Sequence, residues 1–123
     1  MVKKKILIVE DEESLLKLES ILLTSRGYEV SGAVDGVAAM EKMTTERPDL
    51  VILDIMLPGM DGFEVCRRIK GNPATAHIPV IMLTAKKSSQ DRDRGLASGA
   101  SAYMTKPFKS AKIMEVIQGL LAA

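Results

Sequence analysis

Three short apolar runs stand out along the chain, Ile6 to Val9, Leu50 to Leu53 and Val80 to Leu83, each flanked by charge, proline or glycine. Unbroken runs of this length suit strands buried on both faces, because a half-exposed strand would alternate polar and apolar residues. Between the runs the spacing changes. Leu15, Leu18 and Leu22, and later Ile113, Val116, Ile117 and Leu120, recur at intervals of three and four, as the inner face of a helix does. The punctuation agrees: Gly27 ends the first helix before Tyr28-Glu29-Val30, and Pro48 closes the second before Asp49-Leu50. Pro79 opens Val80 to Leu83, and Gly99 precedes a last strand from Ala100 to Met104. Five strand–helix units result. Short connections of this kind favour right-handed crossovers, which gives an α/β fold with a parallel sheet and helices on both faces.

One segment departs from the pattern. Ser88 to Ser98 contains Asp91, Arg92, Asp93, Arg94 and Gly95, with Leu96 as its single large apolar anchor. A helix there has little to bury, so it is either a solvated helix held by its neighbours or a locally unstable face open to a partner.

Composition narrows the functional classes. The chain has 123 residues, 46% of them hydrophobic and 27% charged, the make-up of one small globular domain spanning residues 1–123. At this size roughly two thirds of the unfolded surface is buried on folding, enough for a core without staples. Seventeen Lys and Arg against sixteen Asp and Glu leave a net charge of +1, so no overall field favours nucleic acid or an anionic membrane. Lys3-Lys4-Lys5 reads as a solvated strand start, and direct nucleic-acid binding is not expected. The lone cysteine, Cys66, excludes an internal disulfide and a Cys-rich zinc site; near Phe63 and Ile69 at helical spacing, it reads as a buried, inert thiol. No apolar run approaches the roughly 18 residues of a membrane span, and Met1 to Lys5 is too short and too soon followed by acid for a signal peptide. The expected location is the cytoplasm, with no membrane association.

The residues that end the strands carry the candidate chemistry. In open parallel sheets, ligands bind outside the carboxyl ends of the strands. Here those ends are Glu10-Asp11, Asp54, Thr84-Ala85 and Thr105-Lys106. Any one of them is an ordinary turn former; four at the matching ends of four strands form a constellation. Crowded carboxylates repel unless a cation sits among them. Oxygen donors without a His or Cys partner suit magnesium, with manganese as an alternative, rather than zinc; His77, beside Ile78-Pro79, reads as a loop residue. A carboxylate beside magnesium, with a Lys and a Thr hydroxyl able to hold phosphate oxygens, suits phosphoryl transfer onto the carboxylate itself, and Asp54 is the candidate nucleophile. Neither a Gly-x-Gly-x-x-Gly after the first strand nor a Gly-x-x-x-x-Gly-Lys-Ser/Thr motif is present. Gly59 and Gly62 mark a turn into a helix that shapes the loop after Asp54.

These segments resemble the receiver domain of two-component response regulators over essentially the whole chain. Ile6 to Glu12 resembles the family's acidic first strand end, and Val51 to Gly62 the phospho-acceptor segment. Pro79 to Ala85 resembles the hydroxyl segment and Lys106-Pro107-Phe108 the lysine segment, all in family order. The resemblance implies a doubly wound, flavodoxin-like sheet of order 2-1-3-4-5 with five flanking helices. It makes Asp54 the phospho-acceptor, with Asp11 at the metal directly, Glu10 directly or through water, and the Met56 carbonyl as a further ligand. Thr84 and Lys106 would hold the phosphoryl group, Thr84 and Tyr103 would act as switch residues, and the Lys106–Pro107 bond would be cis. Met56 and Lys86 occupy the positions that tune water access and the decay of the phosphorylated form.

The implied function is a switch rather than a turnover enzyme. It accepts a phosphoryl group from a sensor histidine kinase or histidine phosphotransfer protein. It then presents a face built from the fourth helix, fifth strand and fifth helix to a downstream protein or a fused output domain, as a monomer or a phosphorylation-dependent dimer. The chain is expected to be a single-domain regulator or the receiver of a larger one. Two rivals share parts of the pattern. Haloacid-dehalogenase-like phosphatases also form an aspartyl phosphate, but want a second Asp two residues after the nucleophile, where this chain has Met56. A receiver-like binding module that never accepts phosphate would not need all of these side chains.

Overall fold

The structure is a computed structural model and describes residues 3–86, 88–106 and 109–122. Five strands and five helices alternate: β1 (Lys5–Val9), α1 (Glu13–Ser25), β2 (Glu29–Ala33), α2 (Gly36–Thr45), β3 (Leu50–Leu53), α3 (Gly62–Gly71), β4 (Val80–Thr84), α4 (Ser89–Ala97), β5 (Ala102–Thr105) and α5 (Ser110–Leu121). All pairings are parallel and the strand order is 2-1-3-4-5, as the apolar runs and the family resemblance predict.

Alternation along the central strands divides the core in two. Leu7, Val9, Val51, Leu53 and Met82 face α2 and α3 with Ala39, Met43, Phe63, Val65, Cys66 and Ile69. Ile6, Ile8, Leu50, Ile52, Ile81 and Leu83 face the opposite way, towards Leu23 of α1 and Ile113, Met114 and Ile117 of α5. Each strand residue therefore buries its side chain on one of two cores, which is why the runs show no polar alternation. His77 is exposed in the α3–β4 loop, and Cys66 is buried.

Short polar side chains start three of the helices. Asp35 accepts from the Ala38 N–H at 2.8 Å and Asp61 from the Glu64 N–H at 3.0 Å. Ser88 caps α4 by accepting from the Asp91 N–H at 3.1 Å, so donors with no intrahelical partner are satisfied. Gly27 ends α1 with φ at 95°, a conformation that a side chain disfavours.

Two sequence expectations fail. In α1 the inner face carries Glu19 and Leu23, with Leu16 packed beside them, while Leu18 is 56% exposed. Leucines at 15, 16, 18, 22 and 23 offer two overlapping stripes, and the one containing a carboxylate is the one that packs inward. In α4 the anchor is not Leu96, which is 45% exposed, but Gly95, the helix's one buried residue. A Cβ there would lie 2.7 Å from Met82 Sδ and 2.8 Å from Tyr103 Cδ2. The helix thus sits on the core by backbone approach rather than through an apolar side chain.

Candidate functional site

Parallel pairing brings the polar strand ends to one rim. Val9 is in register with Leu53, Leu53 with Met82, and Thr84 with Thr105. Glu10, Asp54, Thr84 and Lys106 therefore emerge side by side. Glu10, Asp11 and Asp54 each offer a carboxylate oxygen, and these oxygens lie within 4.8 Å of one another. Lys106 crosses from β5 and donates to Glu10 Oε1 at 2.5 Å and to Asp54 Oδ2 at 2.7 Å. One ammonium thus holds two carboxylates in place.

The electrostatics follow from burial. Glu10 and Asp54 are buried, whereas Asp11 is exposed on the solvent side of the pair. Burial pushes the Glu10 carboxyl above the usual carboxylate range, against the opposing pull of the Lys106 hydrogen bond and of the Glu12 N–H, which donates to Glu10 Oε2 at 3.2 Å. Burial alone would lower the Lys106 ammonium, but its hydrogen bonds to Asp54 and Glu10 more than reverse this and raise it, so Lys106 is charged at any neutral pH. Three carboxylates against one lysine leave an excess of negative charge. An all-oxygen donor set with that excess fits a hard divalent ion such as magnesium or manganese.

The loop after β3 holds the candidate nucleophile. The Met56 N–H donates to Asp54 Oδ1 at 3.1 Å, which fixes the rotation of the carboxylate and leaves the Met56 side chain 55% exposed. Gly59, at φ 73°, turns the chain back. At Gly62 a Cβ would run into the Asp54 carbonyl oxygen and lie 2.6 Å from Ile55 Cα. Only glycine lets α3 start against the backbone of Asp54 and Ile55.

The two residues expected to switch are joined through the backbone of a single residue, Lys86. Thr84 is fully buried, and its Oγ1 accepts from the Lys86 N–H at 3.4 Å. The Lys86 carbonyl in turn accepts from the Tyr103 hydroxyl at 2.7 Å. Tyr103 packs inward on β5, where burial and the nearby Asp91 raise its hydroxyl pKa. Every described site residue anticipated from the sequence thus lies at one rim or in contact with it. Pro107 and Phe108, and with them the expected cis bond, lie outside the described residues.

Sequence reasoning missed Glu19. Its side chain is 4% exposed, and among the described residues its Oε2 is the buried side-chain polar atom without a hydrogen-bond partner. Burial, followed by the negative charge of Glu10, pushes its carboxyl up to about 7. The available signal was its place on the stripe shared with Leu16 and Leu23.

Comparison with known proteins gives a consistent picture. The response regulator receiver domain family matches residues 6–118. The chain is 44% identical over 116 residues to the response regulator PleD of Caulobacter vibrioides, covering 94% of this chain and 26% of that protein. It is also 44% identical over 118 residues to the alkaline phosphatase synthesis transcriptional regulatory protein PhoP of Bacillus subtilis, covering 96% and 48%. The chain therefore spans between about a quarter and a half of these curated relatives. Among solved structures, the Vibrio cholerae chemotaxis protein CheY4 superposes with a TM-score of 0.92 at 32% identity, covering 98% of this chain and all of the other. The receiver domain of the sensor histidine kinase PA1611 of Pseudomonas aeruginosa, solved with magnesium coordinated in its active-site cleft, gives 0.91 at 31% identity and covers 99% and 100%.

Proposed function

Because the chain belongs to the response regulator receiver domain family, we propose that residues 1–123 form one receiver domain acting as a phosphorylation switch, with Asp54 as the phospho-acceptor. The observation that carries this reading is the Lys106 ammonium bonded at once to Asp54 and Glu10, beside Asp11, at the carboxyl rim of the sheet. The donor is a phosphohistidine on a sensor kinase or phosphotransfer protein. An Asp54 oxygen attacks phosphorus, the phosphorus–nitrogen bond breaks, and the electron pair remains on the departing imidazole nitrogen.

Each neighbouring residue has a defined task. Asp11, Glu10 and Asp54, with the Met56 carbonyl, would hold magnesium, which neutralises charge on the phosphoryl oxygens when bound. The Met56 N–H keeps the carboxylate oriented for attack. Lys106 exchanges its Asp54 contact for a phosphoryl oxygen, and the Thr84 hydroxyl donates to another. Drawing Thr84 towards the phosphoryl group pulls on the Lys86 backbone and so on Tyr103, which carries the change to the face formed by α4, β5 and α5. A downstream protein or a fused output domain reads that face. The setting is the cytoplasm, and no described helix is long and apolar enough to cross a membrane.

The test is intact mass after incubation with magnesium and acetyl phosphate, run beside Asp54→Asn and a chelated sample. One added phosphoryl group, absent from both controls, is expected. No adduct on the parent, with beryllofluoride also failing to bind, would leave a receiver fold that does not accept phosphate.

A further inference from the structure

α4 is held by contacts unlike those of the other helices. Its one buried residue is a glycine, and Leu96 points to solvent. Two arginines two residues apart, and so on different sides of one turn, bind aromatic rings on different elements. Arg92 Nη2 donates to the Tyr103 carbonyl at 3.1 Å, with its guanidinium 5.8 Å from the centre of the Tyr103 ring. Arg94 lies closer to its partner, its guanidinium 4.1 Å from the centre of the Phe63 ring.

Phe63 is not an arbitrary partner. It follows Gly62, whose backbone sits against the Asp54 carbonyl and Ile55 Cα, so its ring is placed by the segment that carries the phospho-acceptor. Arg94 and Phe63 also line the hollow of about 520 Å³ that opens beside Asp11 and Met56. The route from Asp54 through Gly62 and Phe63 to Arg94 shares no residue with the route through Thr84, Lys86 and Tyr103. α4 is tied to the acceptor loop by one and to β4 and β5 by the other.

We propose that Arg94 is a positioning residue that couples the phospho-acceptor loop to α4 through Phe63, in parallel with the Thr84–Tyr103 route; this rests on the reading of Asp54 as the phospho-acceptor. A displacement of the β3–α3 loop on phosphorylation moves Phe63 and so shifts or frees α4. By linkage, a partner that binds displaced α4 favours the phosphorylated site through the same contact. A planar guanidinium stacked on a ring suits this task, because the contact is orientation-dependent and weak enough to break.

The experiment is amide hydrogen exchange of residues 89–97 with and without magnesium plus beryllofluoride, in the parent, Arg94→Ala, Arg94→Lys, Tyr103→Ala and the Arg94→Ala/Tyr103→Ala pair. Arg94 is exposed, so its variants should keep the fold, with the urea midpoint lowered by no more than about 1 M. In the resting state Arg94→Ala should speed α4 exchange about two- to fivefold, the size of one exposed cation–aromatic contact, with Arg94→Lys recovering part of the loss. The factor by which beryllofluoride changes α4 exchange should shrink in each alanine variant and approach one only in the pair. A factor unchanged in Arg94→Ala, or already one in Tyr103→Ala, overturns the parallel coupling. A parent that binds no beryllofluoride overturns the phospho-acceptor reading, and the coupling with it.

Discussion

Replacing Glu19 with Gln should stabilise the protein, and only above acidic pH. The carboxyl is packed between α1, β3 and α5 beside Leu22, Leu23, Ile52 and Ile113, with one oxygen unpartnered among the described residues. It titrates at about 7 in the folded chain against an ordinary 4.5. A group whose pKa rises on folding binds its proton more tightly in the native state, so stability is undiminished below pH 4.5. It falls as pH rises from 4.5 towards 7 and stays lower above that. The gap between the two values corresponds to about 3 kcal/mol at pH 8, taken as a ceiling. Glu19→Gln keeps the shape, removes the charge and escapes the penalty. Urea unfolding at pH 5 and pH 8, without magnesium, measures it. With a slope of about 1–3 kcal/mol per molar for a domain of this size, the variant midpoint should exceed the parent's by about 1–2 M at pH 8 and stay close to it at pH 5. Equal differences at both pH values, or a variant less stable at pH 8, would show that Glu19 is ionised and satisfied in the native protein.

Other substitutions test separate parts of the site. Lys106→Met leaves Glu10 and Asp54 buried without their cation, which should cost about 3 kcal/mol at pH 7; added magnesium, or acidification through the raised Glu10 pKa, should restore part of it in thermal unfolding. Gly62→Ala drives a methyl into the Asp54 carbonyl, so a loss of about 2 kcal/mol or more in urea unfolding is expected, together with slower adduct formation in the mass assay. Tyr103→Phe removes the hydroxyl that donates to the Lys86 carbonyl and should cost about 1 kcal/mol, with faster exchange of the β4–α4 loop amides and little change in the loop after Asp54.

The strands are legible in the chain because burial on both faces leaves runs such as Val51-Ile52-Leu53 no polar alternation, and the rim follows once the strands are parallel. Helix faces are less legible. Leu18 obeys the expected periodicity and still faces solvent, since spacing identifies a stripe but not which of two overlapping stripes has a partner surface, and Leu96, the single large apolar residue of α4, is exposed as well. Gly95 carries no hydrophobic signal at all, and its burial depends on Met82 and Tyr103 approaching from other strands. The division of labour between Glu10 and Asp11 is likewise invisible in an acidic pair. In the fold they separate because β1 ends at Val9: Glu10 turns in beneath the rim, where Lys106 and the Glu12 N–H hold its two oxygens, and Asp11 is left exposed. Asp54 is buried and bonded at both oxygens in the same way, by Lys106 and by the Met56 N–H, which leaves Asp11 as the exposed member of the three. On the proposed reading, an ion entering from solvent would therefore meet Asp11 first, and Glu10 and Asp54 would turn towards it only as Lys106, which holds both, loosens its grip.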